Sequence, residues 1–461
     1  MSKFLGFSIV VLSILVSSPL FAVTDEEIFR AFSLNLTTPG ARAIGMGGAF
    51  IGRADDATAA ETNPAGLTIL SRPEVSFEYR HRDSRNVTTK ITNLQVENLD
   101  ASPHAPPGTV FGYADFNASD SLGTSDALGF VSYVQPFKSF TLGFSRHELI
   151  NFEANVSGGV TSSPFHFLEF NAFDGSSEIK DVNYGFSGAA KLGEHISLGG
   201  TLKISDFSIK SNIGALQVVP GAPPQQFGSH YTSVYDNDSI GVGLNVGFLA
   251  NLSSTVSLGA VYKYDPQFEL KTVVANKFSG GSNLVVTNVS FNVPDQLGVG
   301  LSVNAAGFTV NLDVVRVFYS QLEDVQAGFS LFTHLLPFPK DQLVFKIDDG
   351  TDFHVGGEYL VRGDQAVLAF RGGYYRQSRN LFYFRSAPAA QNFLTPIFGT
   401  ERPSAIDHVT FGGGVTFGHV EFDIAGDVAL ENELVQRSLL LNKAEVAHSG
   451  FELVISSVVR F

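Results

Sequence analysis

Asp55 and Asp56 stand side by side within GARAIGMGGAFIGRADDATAAETNPAGL, residues 40–67. Paired carboxylates are the groups that do general acid–base work or hold a divalent cation. Either chemistry needs a third converging group, and no His or Ser motif accompanies the pair. Adjacent residues at a helix start also point apart. Elsewhere there is no GxSxG, P-loop, HExxH or Rossmann GxGxxG, and the 11 histidines are scattered without ligand spacing. The sequence therefore predicts neither a catalytic centre nor a metal site nor a cofactor. Asp55 reads instead as the cap of a short helix over residues 56–62, which the Asn63–Pro64 pair ends by forcing Asn63 out of the helical region. Glycines at 45, 47, 48 and 52 permit close backbone packing.

The elements that must position this stretch lie on both sides of it. Residues 1–22 carry Lys3, an apolar run from Phe7 to Val16 and a small Ala22, the pattern of a secretory signal peptide. Cysteine is absent, which excludes a disulfide framework and thiol chemistry. The formal charge is -15, and removal of Lys3 with the leader makes it -16, so nucleic acid is excluded as a partner. Nothing after the leader reaches the ~20 apolar residues of a membrane helix. An exported, acidic chain with 46 Gly and 42 Phe is either a soluble β protein or an outer-membrane barrel.

From residue 73 the apolar residues alternate. In ISLGGTLKIS, Ile196, Leu198, Leu202 and Ile204 oppose Ser197, Thr201, Lys203 and Ser205. In HVEFDIAGDV, Val420, Phe422, Ile424 and Val428 oppose Glu421, Asp423 and Asp427. A sandwich would alternate too, but the connections separate the two folds. Short turns (PFK, KLGEH, NLSS, NAAG, RGDQ, GH) alternate strictly with long segments at 83–126, 150–178, 211–238, 272–288, 320–351, 378–405 and 430–448. Short periplasmic turns and long extracellular loops are the mark of an outer-membrane barrel. The fold predicted is all-β: a transmembrane antiparallel β-barrel of about fourteen strands over residues 73–461, with residues 23–72 as a small helical hatch in its lumen. The last strand, FELVISSVVRF, ends with Phe461 in phase with its apolar face.

GARAIGMGGAFIGRADDATAAETNPAGL closely resembles the N-terminal motif of FadL-type outer-membrane transporters of hydrophobic compounds (OMPP1/FadL/TodX). VPDQLGVGLSVN, FTVNLDVVRVFYSQLED, FHVGGEYLV and LAFRGGYYRQS are similar as well. The N-terminal motif is shared with PorV-like barrels of a secretion system. The resemblance implies a passive transporter and no enzyme, in the outer membrane of a Gram-negative-type bacterium. It implies a hatch whose motif maps onto Arg42, Gly45, Gly47, Asp55, Asp56, Asn63, Pro64 and Ala65, and a side opening at a kink in the third strand, where Gly143 falls. It also implies a monomer surrounded by outer-membrane lipid and handed to the barrel-assembly machinery through Phe461.

Glu78, Arg80, Lys203, Lys263, Asp313, Glu358, Arg371, Glu421 and Asp423 fall on the inward parity, as expected of charges that tie a hatch to its wall. Three apolar loop stretches are candidates for ligand capture: residues 164–173 with Phe165, Phe167, Phe170 and Phe173; residues 327–338 with Phe329, Phe332, Leu335 and Phe338; and residues 381–398. The substrate class expected is a hydrophobic small molecule, a long-chain fatty acid or an aromatic hydrocarbon. Asp55 and Asp56 would repel a carboxylate, so an anionic head group would have to meet Arg42, Arg53, Lys203 or Lys263. Two alternatives stand beside this reading: a PorV-like scaffold barrel of a secretion system, and a lipid hydrolase, for which no Ser–His pair is apparent.

Overall fold

The structure, a computed structural model, describes residues 36–84, 87–97, 110–122, 125–162, 170–217, 230–278, 281–322, 345–380, 383–384, 405–430, 434–435, 444–446 and 450–461. The leader and most residues of the three capture loops lie outside the described residues; Phe165, Phe167, Phe329, Phe332, Leu335 and Phe338 are among these. Phe170 and Phe173 are described as backbone only, within a strand.

The strands in chain order begin with β1 Glu74–Ser84, β2 Val87–Glu97, β3 Val110–Leu122, β4 Ser125–Pro136, β5 Phe140–Ser162, β6 Phe170–Lys191, β7 Ile196–Gln217 and β8 His230–Asn251. They continue with β9 Val256–Tyr264, β10 Gln267–Phe278, β11 Gly281–Asn292, β12 Gln296–Ala305, β13 Phe308–Val317, β14 Phe345–Lys346 and β15 Gly350–Arg362. The last are β16 Ala366–Gln377, β17 Tyr383–Phe384, β18 Ile406–Phe417, β19 Val420–Ala429, β20 Leu434–Val435, β21 Ala444–Val446 and β22 Gly450–Arg460.

Fourteen of them form a closed antiparallel wall. Its order runs β1, β4, β5, β6, β7, β8, β9, β12, β13, β15, β16, β18, β19, β22 and back to β1. Closure leaves no edge strand, as a spanning sheet requires. Outward positions are apolar and exposed, among them Leu202, Leu244, Phe308, Phe370, Phe411 and Phe422. The predicted inward charges are all buried. No helix among the described residues is long and apolar enough to cross a membrane.

The segments read as long loops differ from expectation. β5 to β8 run 22 or 23 residues each, β2 and β3 occupy much of 83–126, and β10 and β11 occupy much of 272–288. Stretches such as VTTKITNLQV are polar on both faces, so the hydropathy pattern ends where the lipid ends while the ladder continues.

Inside the wall lie α1 Ala41–Gly45, α2 Ala59–Thr62 and a 3-10 turn over Pro64–Ile69. Ala41, Ala43, Ile44, Met46, Phe50, Ala54, Ala57, Ala59, Ala60 and Leu67 are all buried. α1 is an additional helix, and the helix expected over 56–62 is present as α2 but begins three residues later. Asp55 is not its cap: Thr58 stands there, and Asp56 Oδ1 accepts from the Thr58 amide at 2.9 Å while Asp55 turns to arginines. Asn63 is extended (φ -155), as its place before Pro64 dictates.

Candidate functional site

The lumen site begins with Asn63. Its Nδ2 donates to the carbonyl of Ile51 at 3.0 Å and to that of Phe248, on β8, at 3.1 Å. Its Oδ1 accepts from the Ala65 amide at 3.3 Å. One amide thus joins both halves of the N-terminal segment to the wall. The segment lies so close to the wall that wall glycines are needed. A Cβ on Gly247 would collide with Asn63 and Pro64, and one on Gly259 with the Ile51 carbonyl. Gly47, at φ 66, would bring a Cβ to 2.8 Å from the Val355 carbonyl oxygen. Gly45 lies against Gly412 and Arg371.

Charge fixes the segment further. Arg42 Nε and Nη2 donate to the two oxygens of Glu358 at 2.9 and 3.0 Å, a bidentate pair, and Nη1 donates to Asp55 at 2.9 Å. Arg42 also lies 3.6 Å from Asp56. Arg53 pairs with Asp55 at 2.8 Å and donates to Thr309 at 3.2 Å. Lys263 meets Glu61 at 3.2 Å, and Lys203 is bonded to Asp265. Arg371 links Glu358 at 2.8 Å to Asp423 at 2.6 Å. Asp313 Oδ2 accepts from the amides of Phe50 and Ile51 at 2.7 and 2.8 Å.

The carboxylates of the segment respond in different directions. Burial pushes Glu61 up, but the Lys263 and Lys203 ammoniums outweigh it and hold the group at about 2. Asp55 is lowered: burial raises it, and Arg42 and Arg53 more than compensate. Asp56 is raised, because burial prevails over its more distant arginine. The four cations predicted for an anionic head group are therefore each already neutralised by a carboxylate. A fatty-acid carboxylate arriving here would compete with an existing pair at every one.

Beside the segment is a cavity of about 40 Å³ lined by Leu36, Ile51, Val261 and Val315 as well as Thr38, Lys263 and His354. Above it the lining changes character. Phe152, Ile179 and Ile209 are in register on β5, β6 and β7, and all are buried. Phe207 stacks on Phe268 at 4.5 Å and on Phe291 at 5.2 Å. Sequence reading missed this apolar band, because each strand contributes only one or two of its residues.

The wall lapses in two places. On β5 the inward parity is odd through His147, then even at Ile150 and Phe152, with Leu149 as the extra residue. β4 pairs with β5 only as far as Phe130↔His147, so Glu148 to Glu153 have no partner on that side. Arg146 donates instead to the freed carbonyl of Leu128, and pairs with Glu148 at 3.0 Å. Gly143, predicted as the kink, is opposite Val134 and Ser187 in an unbroken ladder. A glycine does not bend a strand that keeps both neighbours; an inserted residue does. The signal was the apolar doublet Leu149-Ile150, out of phase with the alternation before it.

The second lapse is at Asp265-Pro266. β8 pairs with β9 up to Leu244↔Tyr264 and with β10 only from Tyr235↔Thr272. Pro266 has no N–H to offer, and its carbonyl accepts from Val293 at 3.1 Å. The strand turns inward, setting Pro266 and Phe268 against the inner face of Gly241.

The profile of the family described as Outer membrane protein transport protein (OMPP1/FadL/TodX) matches residues 29–380. Among solved structures, the chain is similar to a Pseudomonas aeruginosa FadL homologue, with TM-score 0.59, 13% identity and coverage of 93% of this chain and 99% of that one. It is similar also to the Pseudomonas putida toluene transporter TodX, with TM-score 0.58 and 16% identity, and coverage of 93% and 99%. The Ralstonia pickettii toluene transporter TbuX gives TM-score 0.55 and 17% identity over 93% and 99%. At such identities the likeness establishes the fold. No curated protein matches the chain.

Proposed function

The chain belongs to the OMPP1/FadL/TodX family of outer-membrane transport proteins, and from that premise we propose that it passively admits uncharged hydrophobic small molecules. It is a transporter and not an enzyme. Ligands enter from the extracellular side, where the apolar loop stretches are the proposed capture surface. They pass along the band of Phe152, Ile179, Phe207 and Ile209 and leave toward lipid through the lapse between β4 and β5. Residues 23–72, of which 36–72 are described, are the hatch that stops the lumen below this route.

The observation that carries the reading is the coincidence of two features at one place. Phe130, Leu149, Ile150 and Phe152 turn the inward face apolar just where β5 loses its ladder to β4. A water-filled pore would have polar residues there. The preference for uncharged ligands follows from the neutralised cations. It also agrees with the relatives named as toluene transporters, whose ligand has no charge.

Deleting Leu149 removes the extra residue and lets β4 and β5 pair throughout. The expected result is loss of uptake of a labelled aromatic hydrocarbon by cells carrying the protein, with the barrel still inserted. Uptake unchanged by the deletion would refute the route. If the intact protein, correctly inserted, admits no hydrophobic ligand at all, the scaffold reading takes its place.

A further inference from the structure

In the lower lumen the charged side chains around Arg42, Lys203 and Lys263 each keep a partner, although single atoms such as Asp265 Oδ2 and Asp313 Oδ1 are left over. Immediately above, on β5 and β6, that rule fails. Neither carboxylate oxygen of Asp181, neither ring nitrogen of His147 and not Nδ2 of Asn183 has a hydrogen-bond partner among the described residues. The three side chains are 0%, 2% and 2% exposed. They are also neighbours: His147 is opposite Asn183 in the β5–β6 register, and Asp181 is the next inward position on β6. Two positions along a strand span about 7 Å, a gap that one small group bridges.

The cross-strand neighbours of Asp181 are apolar, while Ser205 donates to Asn183 Oδ1 and the Lys203–Asp265 pair lies nearby. Ile150 faces Asp181 across β5, Phe207 faces it across β7, and Phe130 meets the His147 ring edge-on at 5.9 Å. Burying a carboxyl group that has no hydrogen-bond partner is costly. It persists where the group has something to bind. The place is also specific, since Ile150 marks the point where the wall lapses.

We infer that Asp181, Asn183 and His147 form a subsite for the hydroxyl end of an otherwise apolar ligand. This deepens, and rests on, the proposed passage of uncharged hydrophobic molecules along this face. A hydroxyl both donates and accepts, so it meets Asp181 with its proton and the Asn183 amide with its oxygen. A carboxylate end would set a second acid group against Asp181 and bring a charge into a buried place. An ammonium end would satisfy Asp181 and leave the Asn183 donors empty. A plain hydrocarbon leaves all three unpaired, and sites built around hydrogen bonds discriminate strongly against a ligand that lacks the group. His147 is the adaptable third partner, able to donate or accept according to tautomer.

The test uses three ligands of one chain length: labelled 1-dodecanol, dodecane and dodecanoate. Binding to the full-length protein in nanodiscs is measured above protein-free nanodiscs, for wild type, Asp181→Leu and Asp181→Asn. The wild type should hold dodecanol at least tenfold more tightly than dodecane or dodecanoate. Asp181→Leu should abolish the preference while leaving dodecane binding equal or stronger. Asp181→Asn, which can still pair with a hydroxyl, should retain most of it. The Leu variant should also unfold at the same or a higher temperature, since it loses a buried unpaired group. An unchanged dodecanol preference in the Leu variant overturns the inference. So does an equal loss of all three ligands, or a lowered unfolding temperature, either of which shows a structural role. Uptake by cells is measured separately: a binding preference that tracks Asp181 without uptake defeats the transport reading and leaves the subsite standing.

Discussion

Replacing Asn63 with Ala should release the N-terminal segment from the wall. The substitution removes the two Nδ2 donations, to Ile51 and to Phe248, and the Oδ1 contact that shapes the turn at Ala65. Asn63 is fully buried, so water does not simply replace the lost partners. Two net hydrogen bonds at about 1 kcal/mol each, with a buried carbonyl left wanting, amount to about 3 kcal/mol. At about 1.4 kcal/mol per decade, the ratio of seated to unseated segment falls roughly a hundredfold. The chain has no cysteine, so one placed at Ala57, a fully buried position whose carbonyl accepts from Ser132 at 3.0 Å, reports the unseated state by its labelling with a water-soluble thiol reagent. The Asn63→Ala background should label about a hundred times faster, and planar-bilayer recordings should show ion steps absent from the parent. Labelling within about threefold of the parent, with the barrel intact, would refute the role assigned to this amide.

Glu61 provides a pH test with a definite sign. Its group is held at about 2 in the folded protein against an ordinary 4.5, so its contribution to seating is complete above about pH 4.5 and is lost as pH falls toward 2. Ala57→Cys labelling, taken relative to the Glu61→Gln background at each pH so that the falling thiolate fraction cancels, should rise over that window by an amount on the order of 3 kcal/mol. Asp56, raised by burial, acts in the opposite sense, and the comparison with Glu61→Gln cancels it. Replacing Arg371 with Met leaves Glu358 and Asp423 without their shared cation, and should lower the unfolding temperature by an amount corresponding to about 3–5 kcal/mol in a heat-modifiability gel. Gly47→Val, at φ 66 and against two wall carbonyls, should leave the Ala57→Cys site labelled at the unseated rate while the strands still form.

The wall strands were legible because lipid and lumen impose a strict alternation, and turns such as RGDQ end it cleanly. The inward charges were legible for the same reason. The extensions of β5 to β8 were not: beyond the membrane both faces meet water, and a polar ladder such as His230–Asp238 looks like a loop. Asn63 was correctly read as a helix stop, but its bonds to Phe248 span 185 residues and leave no local trace. Asp55 was misread as a cap, since nothing local tells a capping aspartate from one taken by Arg42 and Arg53. Gly143 drew attention by type, whereas the irregularity came from the count of residues between Glu148 and Ile150. Asp181 was invisible, because an inward polar residue is ordinary until its partners are known to be missing.

Glu78 and Ser456 face each other across the seam where the first strand of the wall meets the last. Gly40 donates its amide to Glu78, and Ala41 donates its own to Ser456 at 3.1 Å. The first and last strands of the wall are thus stitched by a third piece, residues 40 and 41. Nascent strands therefore have to wrap around the segment, since threading it afterwards would drag Arg42 and Glu61 through a finished cylinder. That ordering places a slow, long-range step at the end of biogenesis, and a chain lacking residues 38–72 should close faster and leak.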